Sequence, residues 1–207
     1  GGLHERQDFD AAIADYVTPI STDFRGHKIW QCPPNGQGVI ALLLLNMMSE
    51  IDCFGSDPLT LERIHYEIEA GRLAYRDRSV CLADPEFSQV PVEHLLSKAY
   101  AKELVSQIKE DKALSELPPS SLPRHSSTVY ITVLDQQRNA CSLINTVYNS
   151  FGSGLLAPDS GVLLHNRGKG FVLEEGHPNR LEPGKRPLHT IIPSIVTKDD
   201  DVFMSYG

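Results

Sequence analysis

Ser127-Thr128-Val129-Tyr130-Ile131-Thr132-Val133-Leu134 follows three residues after the Ser/Pro-rich run Pro118-Pro119-Ser120-Ser121-Leu122-Pro123. β-Branched and aromatic residues dominate the octet. Period-two alternation sets Thr128, Tyr130, Thr132 and Leu134 on one face and Val129, Ile131 and Val133 on the other, the pattern of a strand. The prolines before it sustain neither a helix nor a central strand, so residues 110–127 are expected to form a mobile surface linker. A hydroxyl residue that opens a strand behind such a linker admits two readings. Thr128 is an ordinary strand threonine, or the bond after Ser127 is cut and Thr128 becomes a chain terminus with a hydroxyl nucleophile and an amine base on one residue.

Working outward, Asp135 to Asn139 reads as a turn and Ala140–Val147 as a returning strand, which makes a hairpin. Phe151-Gly152-Ser153-Gly154 is a loop that permits unusual backbone angles. Gly161–Asn166, Ser194–Thr197 and Val202–Ser205 read as further strands. Upstream, Asp8 is expected to cap a helix from Phe9 to Tyr16 that Thr18-Pro19 ends. Arg25-Gly26 turns a strand pair within Asp23–Gln31. Pro33-Pro34-Asn35-Gly36 feeds an apolar helix, Val39–Met48. Asp57-Pro58 opens a second helix with Leu61, Ile64, Ile68 and Leu73 at helical spacing. A third runs from Val92 to Lys109, with Leu95, Leu96, Ala99, Leu104 and Ile108 toward the core. A helical first half and a β-rich second half make an α+β fold.

The 207 residues suffice for one large domain or two small ones, and the hydrophobic (41%) and charged (22%) fractions are ordinary for a soluble globular chain. A net charge of −8 argues against nucleic acid as a partner. The first six residues lack the basic-then-apolar order of a signal segment. The longest apolar run, Val39 to Met48, is broken by Asn46 and too short to span a bilayer. Cys32, Cys53, Cys81 and Cys141 show no CxxC spacing and are expected to be buried free thiols, which leans toward a reducing, cytoplasmic setting. The scattered histidines form no HxxxH pair, so no metal site is expected.

Several motifs together resemble the gamma-glutamyltranspeptidase family. They are Thr128-Val-Tyr-Ile-Thr-Val-Leu-Asp135, Asn139-Ala140, Phe151-Gly-Ser-Gly154, Ser160-Gly-Val-Leu-Leu-His-Asn166 and Lys185-Arg-Pro-Leu188. Thr18-Pro19-Ile20, Pro33–Gly38, Tyr75-Arg76-Asp77-Arg78 and Lys98-Ala99-Tyr100-Ala101 resemble the end of that family's large subunit. The resemblance implies an N-terminal-nucleophile hydrolase, an αββα sandwich of two sheets between helical layers. It implies a precursor that cuts itself between Ser127 and Thr128. Residues 1–127 then belong to the large-subunit-like region and 128–207 to the small-subunit-like one. The implied activity is cleavage of γ-glutamyl amides, glutathione-like, through a threonine acyl-enzyme released by water or an amine. No cofactor is required, since the threonine and hydrogen-bond donors suffice. The remainder of its own precursor is the expected protein partner.

Residue by residue, Thr146 matches a second threonine that hydrogen-bonds the nucleophile. His189-Thr190 stand where the family usually has two serines that bind the substrate α-carboxylate, and only Thr190 keeps a hydroxyl. Tyr148 replaces an asparagine that contacts the glutamyl group. Arg167 and Gly170 replace a glutamine and an aspartate that hold the α-amino group. With no carboxylate at Gly170 an ammonium loses its partner, and Arg167 favours an anion. Asn166-Arg167-Gly168 followed by Phe171 is similar to the acylase-like branch, for which glutaryl-type acyl groups, bearing a carboxylate and no amine, are the alternative substrates. A non-catalytic homologue that retains the fold as a binding module is the third reading. The resemblance places a carboxylate-binding arginine before Gly1 and the oxyanion-hole glycines after Gly207, so the chain is expected to be an internal fragment with little activity by itself.

Overall fold

Arg25 (φ 50°) and Gly26 (φ 76°) both take the left-handed backbone that a two-residue hairpin needs, and they join β1 (Ile20–Phe24) to β2 (His27–Gln31). Asp199 (φ 50°) and Asp200 (φ 66°) do the same between β7 (Ser194–Lys198) and β8 (Asp201–Tyr206). Ile29 lies opposite Val196, so β2 pairs with β7 and the four strands form one antiparallel sheet in the order β1-β2-β7-β8. One sheet is thus built from both halves of the chain. The structure, a computed structural model, describes residues 4–52, 55, 57–115 and 128–207. Ser127, Cys53 and all but the start of the expected linker lie outside the described residues.

Helix α2 (Gly38–Ser49) covers one face of this sheet, burying Val39, Ile40, Leu42, Leu43, Met47 and Met48. Asn46, the polar residue inside the apolar run, is fully buried and satisfied: its Oδ1 accepts from Thr22 and Lys98, and its Nδ2 donates to Leu96 O.

The helices behind α2 differ from expectation in start, face and continuity. Helix α3 (Leu61–Cys81) is capped by Thr60, which accepts from Arg63 N, while Asp57 is used in a turn with Leu59 N. Leu61 is 85% exposed and Ile68 56%; the buried face is Glu69, Ala70, Leu73, Ala74, Asp77 and Arg78, where two alanines let α3 approach α2 closely. The expected third helix is two, α4 (Val92–Leu95) and α5 (Lys98–Val105). Ser97 is extended between them and caps α5 by accepting from Tyr100 N. Ala99 is consequently exposed, whereas Leu95, Ala101, Leu104 and Ile108 enter the core. Near the N-terminus, α1 (Arg6–Asp10) is capped by Glu5 with Asp8 at its third position, rather than capped by Asp8.

The expected hairpin is present as β3 (Val129–Leu134) and β4 (Ala140–Asn145), in register from Val129 opposite Asn145 to Leu134 opposite Ala140. Tyr130 Oη lies 2.7 Å from Ser205 Oγ and 3.1 Å from Ser142 Oγ. Ser205 alternates with Met204 and Tyr206, which line a groove with Leu45 of α2, so the hairpin lies on the sheet face turned from α2. The layers are helices, four-stranded sheet and hairpin, and the expected α+β class holds. Gly161–Asn166 contributes only β6 (Val162–Leu163), paired with β5 (Leu156–Ala157). Cys32 and Cys141 are exposed and Cys81 half-buried, so the expected burial of the thiols fails at these three positions.

Candidate active site

Hairpin register places two threonines at one end of the β3–β4 pair. Val129 opposes Asn145, so Thr128 and Thr146 flank the last rung, and Thr128 Oγ1–H points at Thr146 Oγ1 across a long 3.4 Å. Thr128 is exposed and Thr146 half-buried. The same Thr146 oxygen accepts from Tyr148 N at 3.0 Å, which orients it between the strand end and the following loop.

Tyr148 is fully buried with φ 78°, a left-handed backbone that costs a bulky residue on the order of 1–3 kcal/mol. Its ring lies beneath the Arg167 guanidinium, with 4.1 Å between the guanidinium carbon and the ring centroid. The loop from residue 149 to 166 makes that meeting possible. Asn149 N donates to Asn166 Oδ1 and Asn166 Nδ2 donates back to Asn149 Oδ1, both at 3.1 Å, and Asn166 N donates to Val147 O. Gly152 is required in this loop, because at φ 52° a Cβ there would stand 2.5 Å from Leu164 O.

Arg167 is only 4% exposed and opens a short 3₁₀ turn, Arg167–Gly170. Its Nη1 donates to Thr190 Oγ1 at 2.7 Å, and among the described residues no carboxylate pairs with it. Burial lowers its pKa to about 10, opposed by Tyr148, so it stays cationic at neutral pH. Gly170 is buried beside it. A Cβ there would lie 3.5 Å from Leu188 O and 3.9 Å from Tyr148 Oη, so a side chain fits but none is supplied. His189 is half-buried. Desolvation first, then the charge of Arg167 and the neighbouring His165, push its pKa down to about 4, so the ring is neutral at pH 7.

These contacts join Thr128, Thr146, Tyr148, Arg167 and Thr190 in one connected set, with His189 on its edge. The two apolar grooves beside Phe24 and Leu45, about 360 and 410 Å³, are lined by none of them. Two supporting residues carried no pattern in the sequence. Asn179 donates to Gly170 O (2.8 Å) and accepts from Leu188 N (3.0 Å), tying the 3₁₀ turn to the Thr190 segment. Asp84, buried three residues beyond α3, accepts from Arg186 N, Nε and Nη2.

The family model for gamma-glutamyltranspeptidase matches residues 1–207. Over 200 residues the chain is 40% identical to the glutathione hydrolase-like YwrD proenzyme of Bacillus subtilis (strain 168), covering 97% of this chain and 37% of that protein. It is 36% identical over 226 residues to the glutathione hydrolase proenzyme of Escherichia coli (strain K12), covering 100% and 38%. Among solved structures, the cephalosporin acylase from Bacillus halodurans superposes with a TM-score of 0.88 at 37% identity, over 99% of this chain and 36% of that one. The chain spans well under half the length of these relatives.

Proposed function

Because the chain belongs to the gamma-glutamyltranspeptidase family, we propose that it is part of a self-processing acyl-transfer enzyme whose nucleophile is Thr128. The observation that carries this reading is the exposed Thr128 hydroxyl at a strand start, aimed at Thr146. In processing, Thr128 Oγ attacks the Ser127 carbonyl, the acyl group shifts from nitrogen to oxygen, and water hydrolyses the ester. The products are a Ser127 carboxylate and a free Thr128 amine. Residues 1–127 and 128–207 then belong to separate subunits.

That amine has an ordinary pKa of about 7.7–8.0 and serves as base near neutral pH. In turnover it takes the hydroxyl proton while Oγ attacks an amide carbonyl. The amide nitrogen leaves as an amine with that proton, and water or an amine acceptor then releases the acyl group. Thr146 orients the attacking hydroxyl. Tyr148, Arg167, His189 and Thr190 form the acyl-binding side, for γ-glutamyl amides. One observation favours a second substrate reading. Gly170 offers no carboxylate to an ammonium and Arg167 is a buried cation with no carboxylate partner among the described residues, so an acyl group with a carboxylate and no amine, glutaryl-like, suits this side better.

Mass spectrometry of the full-length protein tests the nucleophile. Two fragments meeting at Ser127/Thr128 are expected from wild type, and a single intact chain from Thr128→Ala. An intact wild type after long incubation leaves the non-catalytic reading in its place. Cleavage of the alanine variant assigns the cut to an external protease.

A further inference from the structure

Four hydrogen bonds fasten the turn before α2 to the segment that carries Thr190. Asn35 Nδ2 donates to Pro187 O (2.6 Å) and His189 N to Asn35 O (2.9 Å). Gln37 N donates to His189 O (2.9 Å), and Gln37 Nε2 donates to Thr190 O (2.7 Å). The other end of that same amide, Oε1, accepts from Arg78 Nη1 at 2.6 Å. Arg78 sits in the last turn of α3, 4% exposed, with its guanidinium 4.1 Å over the Tyr75 ring. Among the described residues no carboxylate pairs with it, and its Nε is buried without a partner.

The Gln37 amide answers both neighbours at once, because its oxygen accepts from a cation while its nitrogen donates to a carbonyl. A glutamate of the same size would strengthen the Arg78 contact and turn a lone pair toward Thr190 O. A methionine would serve neither. The far side of Thr190 holds Arg167, through Oγ1 and Nη1. Gln37 therefore stands where α3, the start of α2 and the acyl-binding side meet, while Thr128 and Thr146 are placed by the β3–β4 register and by Tyr148 N, neither of which Gln37 touches.

We propose that Gln37 is a positioning residue for acyl binding: through the Thr190 carbonyl it sets the height of the Thr190 hydroxyl and of the Arg167 guanidinium held on it. This rests on the reading of Thr128 as nucleophile. Its effect falls on substrate binding and not on the attacking group.

The test is Gln37→Glu and Gln37→Met in the full-length protein, assayed with γ-glutamyl and glutaryl p-nitroanilides. For Gln37→Glu the expected result is normal self-cleavage, thermal stability at least that of wild type, kcat within twofold, and KM raised about tenfold, the loss expected for one donor and a part-buried repulsion. Gln37→Met should raise KM comparably, which keeps the test in hand if the glutamate variant does not fold. Unchanged KM in a folded variant, or kcat and self-cleavage falling together with KM constant, overturns the proposal while the nucleophile assignment stands. A wild type that neither cuts itself nor turns over an anilide removes both.

Discussion

Arg167 donates to Thr190 Oγ1 at 2.7 Å from a position in which its guanidinium is also stacked on Tyr148. Both contacts are to neutral groups, so the positive charge is buried without being neutralised by any described residue. A buried cation of this kind is tolerated where a ligand or a further part of the molecule supplies the anion.

If the ligand supplies it, Arg167→Gln separates the two substrate readings. Removing the cation should lower kcat/KM for a glutaryl anilide by tenfold or more, the equivalent of roughly 1.5–3 kcal/mol for a charge-assisted hydrogen bond. The γ-glutamyl anilide, whose ammonium is repelled by Arg167, should be affected far less or should gain. Parallel losses on both substrates, which share a carboxylate, would remove the preference for the glutaryl group.

His189 gives a pH signature with a defined sign. Its folded pKa of about 4 lies below the ordinary 6.5, so between these values the unfolded chain binds more protons than the folded one. Stability from this group is complete above pH 6.5, falls as pH drops toward 4, and is flat below. The size is at most about 3 kcal/mol, less whatever solvent screens at a half-buried ring. Urea denaturation of the uncleaved Thr128→Ala protein at several pH values measures it, and His189→Gln should flatten the slope between pH 4 and 6.5. An unaltered slope would place the depressed titration elsewhere.

Where local chemistry decided a structure, the sequence was readable. Arg25-Gly26 between alternating residues specifies the β1–β2 hairpin, and the run from Val39 to Met48 can only be an interior helix. The Thr128–Thr146 contact follows from hairpin register once both strands are recognised. The face of α3 was not readable, because Ala70 and Ala74 contribute little to hydrophobic periodicity yet permit the close approach to α2, while Leu61 and Ile68 remain in solvent. Ser97 was hidden inside an apparently continuous helix, since a cap differs from an interior serine only in its backbone angles. The burial of Arg167 and Arg78 was not readable either, because it depends on aromatic rings at Tyr148 and Tyr75 that tertiary structure brings beneath them. Gln37 acts on backbone carbonyls some 150 positions away, which no residue type announces.

Asp84 extends the same logic to stability. Burial alone would raise its pKa, but hydrogen bonds from the Arg186 guanidinium and backbone N–H outweigh that and hold the carboxyl below its usual range. Its contribution is therefore present above the ordinary carboxylate pKa of about 3.9 and is lost as pH falls through the lower folded value. Asp84→Asn removes the charge and keeps the shape. Arg186 is partly exposed and can turn to solvent, so the loss should be about 1–3 kcal/mol, short of the 3–5 typical of a fully buried pair. Because Arg186 leads directly into Leu188–Thr190, the variant should also raise KM for the anilides without blocking self-cleavage at Ser127/Thr128. Denaturation at pH 7 and steady-state kinetics on the same preparation check both effects. A stability loss with KM unchanged would mean that the turn at Asn35–Gln37 and the Asn179 bridge hold the Thr190 segment without help from Asp84.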